Sequence, residues 1–590
     1  MKLGKVDLAI AAALWIGCVI VLVETVGTLG YARDEGFYFH AASSYGKWFE
    51  ALVASPSAAM DRKAIDAAWS YNHEHPAFLK SLFALSNLVL QKRLHLFAME
   101  GTSFRFPAMV LSGGLVALVY AWGAEARSRT CGLAAAAAIA AMPRVFFHAH
   151  LACFDVPIVA LWTLCAYTFW KSLRAGGWRW PLLVGLTFGL ALNSKHNSWF
   201  LPIVTGAHTA ITIAIARLAG GDAWKAARPQ IGRAIASLAA MAALGPVIFV
   251  GMWPWIWHDT LPRLREYGLF HLNHEYYNME FFGVSYWEPP MPRTYAFVMT
   301  AATVPGVTLL LFALGLFGRL RLRIGEGARF FFGDAKEASI AARALAFVRR
   351  WIGAPRLGSA IARRGPTPDT ELLWLLSIGA IYAAWLSPKT PIFGGTKHWM
   401  TAYPFVALFA GVGFDDAIRA VRSQLQRWRG RIPGARRIAK TPYVAAVIGA
   451  LTMASPIVQT ARSHPWGLTA YTPLVGGAAG AATLGLNRTF WGYQTGAVTD
   501  FLNASPKGTT VFLHDTLPGS WDMLVTDGRV RKDIRATMSV DASTLALYQH
   551  EKHMGGVEYQ TWIAYETCRP AHVAGLDGVP VIWVYERPKK

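Results

Sequence analysis

The chain has 590 residues, of which 54% are hydrophobic and 13% aromatic, and its formal net charge at pH 7 is +22. Apolar runs of about 17 to 25 residues recur along it, which is the length that crosses a lipid bilayer, and they exclude an ordinary soluble domain. Lysine and arginine cluster in alternate connections between these runs. The charge therefore follows the positive-inside rule and does not indicate nucleic acid binding.

The predicted fold is an α-helical polytopic membrane protein with about eleven transmembrane helices. The first apolar run, residues 8–30, predicts a retained signal-anchor helix. The other predicted spans are 105–124, 131–147, 150–170, 181–193, 197–216, 234–252, 294–317, 371–387, 399–414 and 442–460.

The connections predict the orientation of these spans. Basic residues are concentrated before the first span and in the connections around 217–233, 319–364 and 419–440, which all fall on one side, predicted to be cytoplasmic. Residues 319–364 also interleave basic and apolar residues, which predicts either a segment on the anionic inner leaflet or a plain topogenic loop. The outer side receives the large loops 31–103 and 253–293, and there we expect the chemistry.

The end of the chain changes character after about residue 461. Residues 509–513 and 581–585 are predicted strands, and 541–550 is a predicted helix. We therefore divide the chain into a transmembrane catalytic domain, 1–475, and a small extracytoplasmic α/β domain, 476–590. Acceptor binding and a purely structural role are both open for the second domain.

Two adjacent carboxylates, Asp34 and Glu35, follow directly on the first span. Carboxylates at a membrane surface are costly and usually functional, which predicts a general base with a supporting acid or cation ligand. The alternative, compatible with the first, is that Asp34 is the N-cap of a helix over 36–49 and Glu35 is favoured by its dipole.

Later in the same loop, Glu74 lies between His73 and His75, just before Pro76. These side chains are candidate ligands for a divalent cation, with His258 as a further candidate. Neighbouring side chains diverge on any regular backbone, so not all three reach one ion. The alternative is a polar turn that Pro76 ends.

Charged residues also lie next to the middle spans. Arg144 and Asp155 flank the connection between the third and fourth spans, where a charge faces a cavity or a partner. Asp155 is a candidate second acid near Asp34, and an Arg144–Asp155 ion pair is the structural alternative. Lys195 is a candidate to bind a phosphate as a point charge. The alternative is that its side chain only snorkels to the membrane interface.

Two outer loops carry the remaining candidates for binding the substrate. Trp255 and Trp257 alternate along one loop and predict either a stacking platform for a sugar or an interfacial aromatic belt, and Tyr276 follows. Lys389 and Lys397 surround a Gly-Gly pair that lets a backbone approach a phosphate, unless they are ordinary interfacial lysines. His398 follows directly and is a further candidate for binding the substrate.

The order of these segments resembles a known superfamily. The carrying segments are Asp34-Glu35, Glu74-His75-Pro76, Arg105-Phe106-Pro107 and Asp155-Val156-Pro157. Together they look like the protein-O-mannosyltransferase and aminoarabinose-transferase superfamily of GT-C glycosyltransferases, over about residues 8–475. The chain departs from the Glu-Lys-Pro-Pro segment of the aminoarabinose branch at two positions. His75 occupies the position of the lysine, and Ala77 that of the second proline.

This resemblance implies transfer of a sugar from a polyprenyl-phosphate donor to a protein, lipid or glycan acceptor, with inversion. It implies that Asp34 is the base, Glu35 its neighbour, and Glu74 a loop acid that binds a divalent cation. Chemistry then requires positive charge on the leaving phosphate, for which Lys195, Lys389, Lys397 and Arg144 are candidates. The expected location is a bacterial inner membrane with the site facing the periplasm.

Two rival functions remain. A secondary transporter would use Asp34, Arg144 and Asp155 as relay groups, but we find no inverted hydropathy repeats in the sequence. A non-catalytic membrane assembly protein would use the outer loops as docking surfaces.

Overall fold

The computed structural model describes residues 3–219, 221–332, 368–427 and 441–588. Its helices are α1 Lys5–Thr25, α2 Arg33–Ala54, α3 Pro56–Ala59, α4 Arg62–Trp69, α5 Phe78–Ser86, α6 Glu100–Ala126, α7 Arg129–Ala140, α8 Pro143–Ala149, α9 Asp155–Arg174, α10 Arg179–Leu192, α11 Phe200–Ala219, α12 Gly221–Gly251, α13 Thr260–Leu272, α14 Tyr295–Thr303, α15 Gly306–Phe332, α16 Pro368–Ala383, α17 Tyr403–Arg427, α18 Tyr443–Ser463, α19 Gly477–Thr483, α20 Thr499–Ala504, α21 Pro518–Thr526 and α22 Gly555–Tyr565. Most of the predicted basic segment 319–364, and most of the basic connection within 419–440, lie outside the described residues.

Each predicted span coincides with one helix or with a bent pair of helices. Among the described residues, six helices are long and apolar enough to cross a membrane, or up to eight if each of two bent pairs is one span. The bent pairs are α7 with α8 and α14 with α15, and α10 is a shorter apolar helix. The chain is therefore an integral membrane protein, and the predicted helical fold class is confirmed.

The helices approach one another closely where small residues meet. A Cβ added at Gly132 of α7 would collide with the Tyr120 carbonyl of α6, and one at Gly413 of α17 would collide with the Leu311 carbonyl of α15. Small residues at such crossings allow backbones to pack where apolar burial alone gives no preference over lipid. These glycines therefore allow α6 to pack closely on α7 and α15 on α17.

The break between α7 and α8 brings charged residues into the bundle. The two helices bend by 73°, and Pro143 occupies the first turn of α8, where its missing N–H costs nothing. Arg144 and His148 consequently lie on a short helix, and Asp155 opens α9 after a non-helical stretch.

The C-terminal region contains a five-stranded sheet in the order β4-β3-β5-β7-β6. Its strands are β3 Thr510–Phe512, β4 Arg535–Thr537, β5 Leu545–Gln549, β6 His572–Leu576 and β7 Val579–Glu586, and a separate hairpin pairs β1 Met279–Phe281 with β2 Val284–Tyr286. Strand β3 is parallel to β4 and β5, whereas β7 is antiparallel to β5 and β6. The predicted α/β character and both predicted strands are confirmed.

The predicted helix over 541–550 is wrong, because half of this segment is strand β5 and the other half is not helical. All five residues of β5 are buried, and β5 lies between β3 and β7. Leucine and alanine favour a helix in isolation, but pairing on both edges outweighs that local preference.

Candidate active site

The predicted base, Asp34, lies in the first turn of α2 and faces a lysine from a distant loop. Its Oδ2 atom is 3.3 Å from Nζ of Lys397, and the Asp34 side chain is 27% exposed whereas that of Lys397 is 8% exposed. Helix α2 is capped at Ala32, so the predicted role of Asp34 as N-cap is wrong. A carboxylate open to solvent therefore stands beside an ammonium group that the protein holds in place.

The Gly394-Gly395 pair explains how Lys397 reaches this position. Both glycines have positive φ, +66° and +59°, which glycine adopts without strain. A Cβ added at Gly394 would collide with Cε of Lys397. The turn thus leaves room for the lysine side chain to fold back over the backbone, toward Asp34.

Arg144 lies next to the same turn and is buried without an opposite charge. It is 2% exposed, and a Cβ at Gly395 would be 3.5 Å from one of its terminal nitrogens. Its guanidinium donates to the Leu468 carbonyl at 2.9 Å and lies 5.1 Å from the Tyr471 ring. Its Nε has no partner, and in the described part of the chain no carboxylate is within 4.0 Å.

A second carboxylate, Asp155, is buried nearby, and both of its oxygens have partners. Its Oδ1 atom is 2.7 Å from Nζ of Lys195, and its Oδ2 atom is 3.2 Å from Nδ1 of His148. The alternative Arg144–Asp155 ion pair does not form. Lys195 neutralises Asp155, so the two residues form a buried ion pair and the charge of Lys195 is not free for a phosphate.

Glu35, predicted to be catalytic, has all its acceptor positions filled. It is fully buried, and Arg105 donates from Nε and from a terminal nitrogen to its two oxygens, each at 2.7 Å. The backbone N–H groups of Ala152 and Ala32 also donate to it, each at 2.9 Å. We therefore expect a structural role for Glu35, because Arg105 and two backbone N–H groups occupy both of its oxygens.

Sequence reasoning missed Tyr38, which lies one helical turn after Asp34 and is buried. Burial and the charges of Asp34, Asp155 and Glu74 raise the pKa of Tyr38 well above 10.0. The phenol of Tyr38 therefore lies within the electrostatic influence of the three predicted carboxylates and stays protonated at neutral pH. Tyr38 is four residues after Asp34, a spacing that places both side chains on one face of a helix, and this was the signal that the sequence offered.

The predicted metal ligands belong to separate networks. Glu74 accepts a hydrogen bond from Nδ2 of Asn72 at 2.6 Å. His258 instead lies near Asp66, whose pKa is lowered chiefly by the hydrogen bond and charge of Arg263, with smaller contributions from Arg62 and His258. In the residues that the structure describes, no three His, Cys, Asp or Glu side chains are grouped to hold a metal ion. Among these residues, Glu74 and His258 are therefore not joined in a cation site.

Of the predicted tryptophan platform, Trp255 is packed into the protein, whereas Trp257 is only partly buried. Trp255 is 4% exposed, stacks on His73 with ring centroids 4.4 Å apart and lies 5.1 Å from the Arg263 guanidinium. Trp257 is half-buried and donates from Nε1 to the Val250 carbonyl at 2.7 Å.

The remaining predicted residues lie around the loop before α17. The Tyr276 hydroxyl donates to the Lys389 carbonyl at 2.7 Å, and the Lys389 side chain is exposed. His398 is buried beside Phe393, with its Nε2 bonded to the Phe393 carbonyl. Burial and the neighbouring lysines lower the pKa of His398 well below 6.5, so the ring is neutral.

Comparison with protein families bears on this part of the chain. Residues 85–253 match the family of dolichyl-phosphate-mannose-protein mannosyltransferases. This range includes Arg105, Arg144, Asp155 and Lys195 and begins after Asp34. The predicted resemblance to this glycosyltransferase superfamily is confirmed there. No curated protein sequence matches the chain.

Solved structures with a similar arrangement include ArnT from Cupriavidus metallidurans bound to undecaprenyl phosphate. It is 14% identical, with a TM-score of 0.41, and the match covers 98% of this chain and 97% of that one. AglB from Archaeoglobus fulgidus, in complex with an inhibitory peptide and a dolichol-phosphate, is 12% identical with a TM-score of 0.45. That match covers 95% of this chain and 71% of AglB. The Archaeoglobus fulgidus oligosaccharyltransferase complex with Zn and sulfate is 13% identical with a TM-score of 0.40. That match covers 95% of this chain and 70% of the other.

Proposed function

We propose that the protein transfers a sugar from a polyprenyl-phosphate donor to an acceptor hydroxyl at the extracytoplasmic face of a membrane. The observation that carries the proposal is the partly exposed Asp34 carboxylate, 3.3 Å from Nζ of Lys397, beside the buried and unneutralised Arg144. A buried cation without a counter-charge favours an anionic ligand. The family match over residues 85–253 supports a sugar donor of this kind.

The proposed reaction is a direct displacement at the anomeric carbon. Asp34 accepts the proton of the acceptor hydroxyl as its oxygen forms the new bond to that carbon. The bond between the anomeric carbon and the phosphate oxygen breaks, and the phosphate leaves with the electron pair. The products are the glycosylated acceptor, with inverted configuration, and polyprenyl phosphate.

Positive charge on the leaving phosphate replaces a general acid in this scheme. Phosphate is a good leaving group, so the site needs mainly electrostatic stabilisation of its developing charge. Lys397 and Arg144 supply it, while Lys195 balances Asp155 and exposed Lys389 takes no part. When the donor binds, its phosphate competes with Asp34 for Lys397, which frees the carboxylate to act as a base.

The acceptor side of the proposal follows from exposure and charge placement. Asp34 is open to solvent on the side opposite the basic connections, which by the positive-inside rule is extracytoplasmic. For a bacterial inner membrane this side is the periplasm. A protein, lipid or glycan hydroxyl that reaches Asp34 there would be the acceptor.

The test is transfer of radiolabelled sugar from polyprenyl-phosphate donors in proteoliposomes. We expect Asp34→Asn to lower the transfer rate by about 10²- to 10⁴-fold, the usual contribution of a general base. Glu50→Gln, on the exposed face of the same helix, is the matched control and should transfer normally. We expect Arg144→Gln to raise the KM for the donor. Full activity of Asp34→Asn would refute the assignment of the base.

A further inference from the structure

Trp491 in the C-terminal region adopts a backbone conformation that bulky residues rarely take. Its φ is +81°, and its side chain is buried. A large aromatic residue in this region is an outlier that persists only where its surroundings require it. Such residues are concentrated at functional sites, so the contacts of Trp491 are informative.

The ring of Trp491 lies against the cationic side of the candidate active site. Nζ of Lys397 is 4.0 Å from the ring centroid, a short cation–π distance. The ring also makes an edge contact with His148, with centroids 5.4 Å apart. His148 in turn holds Asp155, so one ring contacts the partners of both site carboxylates.

The backbone of Trp491 holds the other half of the Asp34–Lys397 pair. Its carbonyl accepts a hydrogen bond from the N–H of Arg33 at 2.7 Å, and Arg33 directly precedes Asp34. The Arg33 side chain forms an ion pair with Asp515. A Cβ at Gly492 would collide with the Asp515 carbonyl. The segments that contain Trp491 and Asp515, which both bind Arg33, are therefore packed closely against each other.

We propose that Trp491 is a positioning residue, which holds the Lys397 ammonium against Asp34 and makes the C-terminal domain a component of the active site. This inference rests on the proposed function for its catalytic consequence. Without the ring, Lys397 keeps its long flexible side chain but loses the surface that directs its ammonium toward Asp34. The domain then contributes more than shape, because its Trp491 fixes both members of the pair.

The first test measures the lysine without any transfer reaction. Folded protein in detergent is pulse-labelled by reductive methylation, and labelling at Lys397 and at exposed Lys389 is quantified by mass spectrometry. We expect Trp491→Leu to speed labelling of Lys397 by about tenfold, in line with a lost cation–π contact, and to leave Lys389 unchanged. Unchanged labelling of Lys397 would overturn the proposal.

The second test preserves the shape of the ring. Fluorinated tryptophans introduced at position 491 weaken the negative face of the ring stepwise, and kcat for transfer should fall with each fluorine by about twofold to threefold. The same series at Trp521, buried in the same domain, is the control and should have no effect. A role in packing alone predicts equal kcat throughout the series at 491, which would refute the proposal.

The two tests separate the two proposals. If the wild-type protein transfers no sugar from any polyprenyl-phosphate donor, the proposed function fails, and the labelling result still decides whether Trp491 holds Lys397. If transfer occurs but neither labelling nor kcat responds, only the role of Trp491 fails.

Discussion

Replacing Glu35 by glutamine separates structural from catalytic carboxylates at neighbouring positions. Four fixed donors converge on Glu35: Nε and a terminal nitrogen of Arg105, and the N–H groups of Ala32 and Ala152. Glutamine keeps the shape but turns one oxygen into an NH₂ group. Two of these donors then face a donor, and the Arg105 guanidinium loses its counter-charge.

The magnitude follows from the burial of the pair. Glu35 is fully buried and Arg105 is 1% exposed, so water cannot replace the lost interactions. Removing one partner of such a pair costs about 3–5 kcal/mol. Arg105 also donates to the Gly30 carbonyl at 2.6 Å, so the cost extends to the segment that leads into Asp34.

The assay is thermal unfolding in detergent, together with transfer activity of the same preparation. We expect Glu35→Gln to lower the melting temperature strongly, whereas Asp34→Asn unfolds like the wild type and loses transfer. In the double variant Glu35→Gln/Arg105→Met, the loss of stability should be smaller than the sum of the single losses. If Glu35→Gln unfolds normally but transfers no sugar, the structural assignment is incorrect and Glu35 is catalytic.

Three further predictions concern the turn before Lys397 and two buried groups. Gly394→Ala should lower transfer at least as much as loss of the Lys397 ammonium, because the added Cβ would occupy the path of the Lys397 side chain. Gly508→Ala is the control, since Gly508 has a similar φ but open space around it. Equal transfer rates for the two variants would contradict this prediction. Burial and a neighbouring carboxyl raise the pKa of Glu551 well above 4.5, so the folded state keeps a proton that the unfolded chain loses. Stability should therefore fall as pH rises from about 4.5 toward the folded pKa, and melting curves from pH 5 to 8 should show this slope in the wild type but not in Glu551→Gln. Burial lowers the pKa of Lys80 from 10.5 to about 7. Stability should therefore rise as pH rises between these two values and be lost as pH falls to the folded pKa. Melting temperatures of Lys80→Met should lack this rise, and an equal pH dependence in the wild type and the variant would refute the prediction.

Several properties of this protein follow from local sequence. The spans follow from runs of apolar residues, since each helix satisfies its own backbone hydrogen bonds in lipid. The placement of Asp34 at the end of the first span and the glycine pair before Lys397 were likewise visible, because hydropathy and glycine act within a few residues. The helix predicted over 541–550 failed for the opposite reason, since pairing with distant strands decides β5.

The partners of the charged residues were decided by tertiary structure alone. Asp34 and Lys397 are 363 residues apart in the chain, and nothing in either segment indicates the other. Lys195 was predicted for a phosphate but is paired with Asp155. Glu35 differs from its neighbour because Arg105 and the N–H groups of Ala32 and Ala152 donate to it. The sequence determines which charges the membrane frame carries and near which helix ends. The packing of the frame decides which of them neutralise one another and which remain for a substrate, because that depends on distances of a few ångströms between segments far apart in the chain.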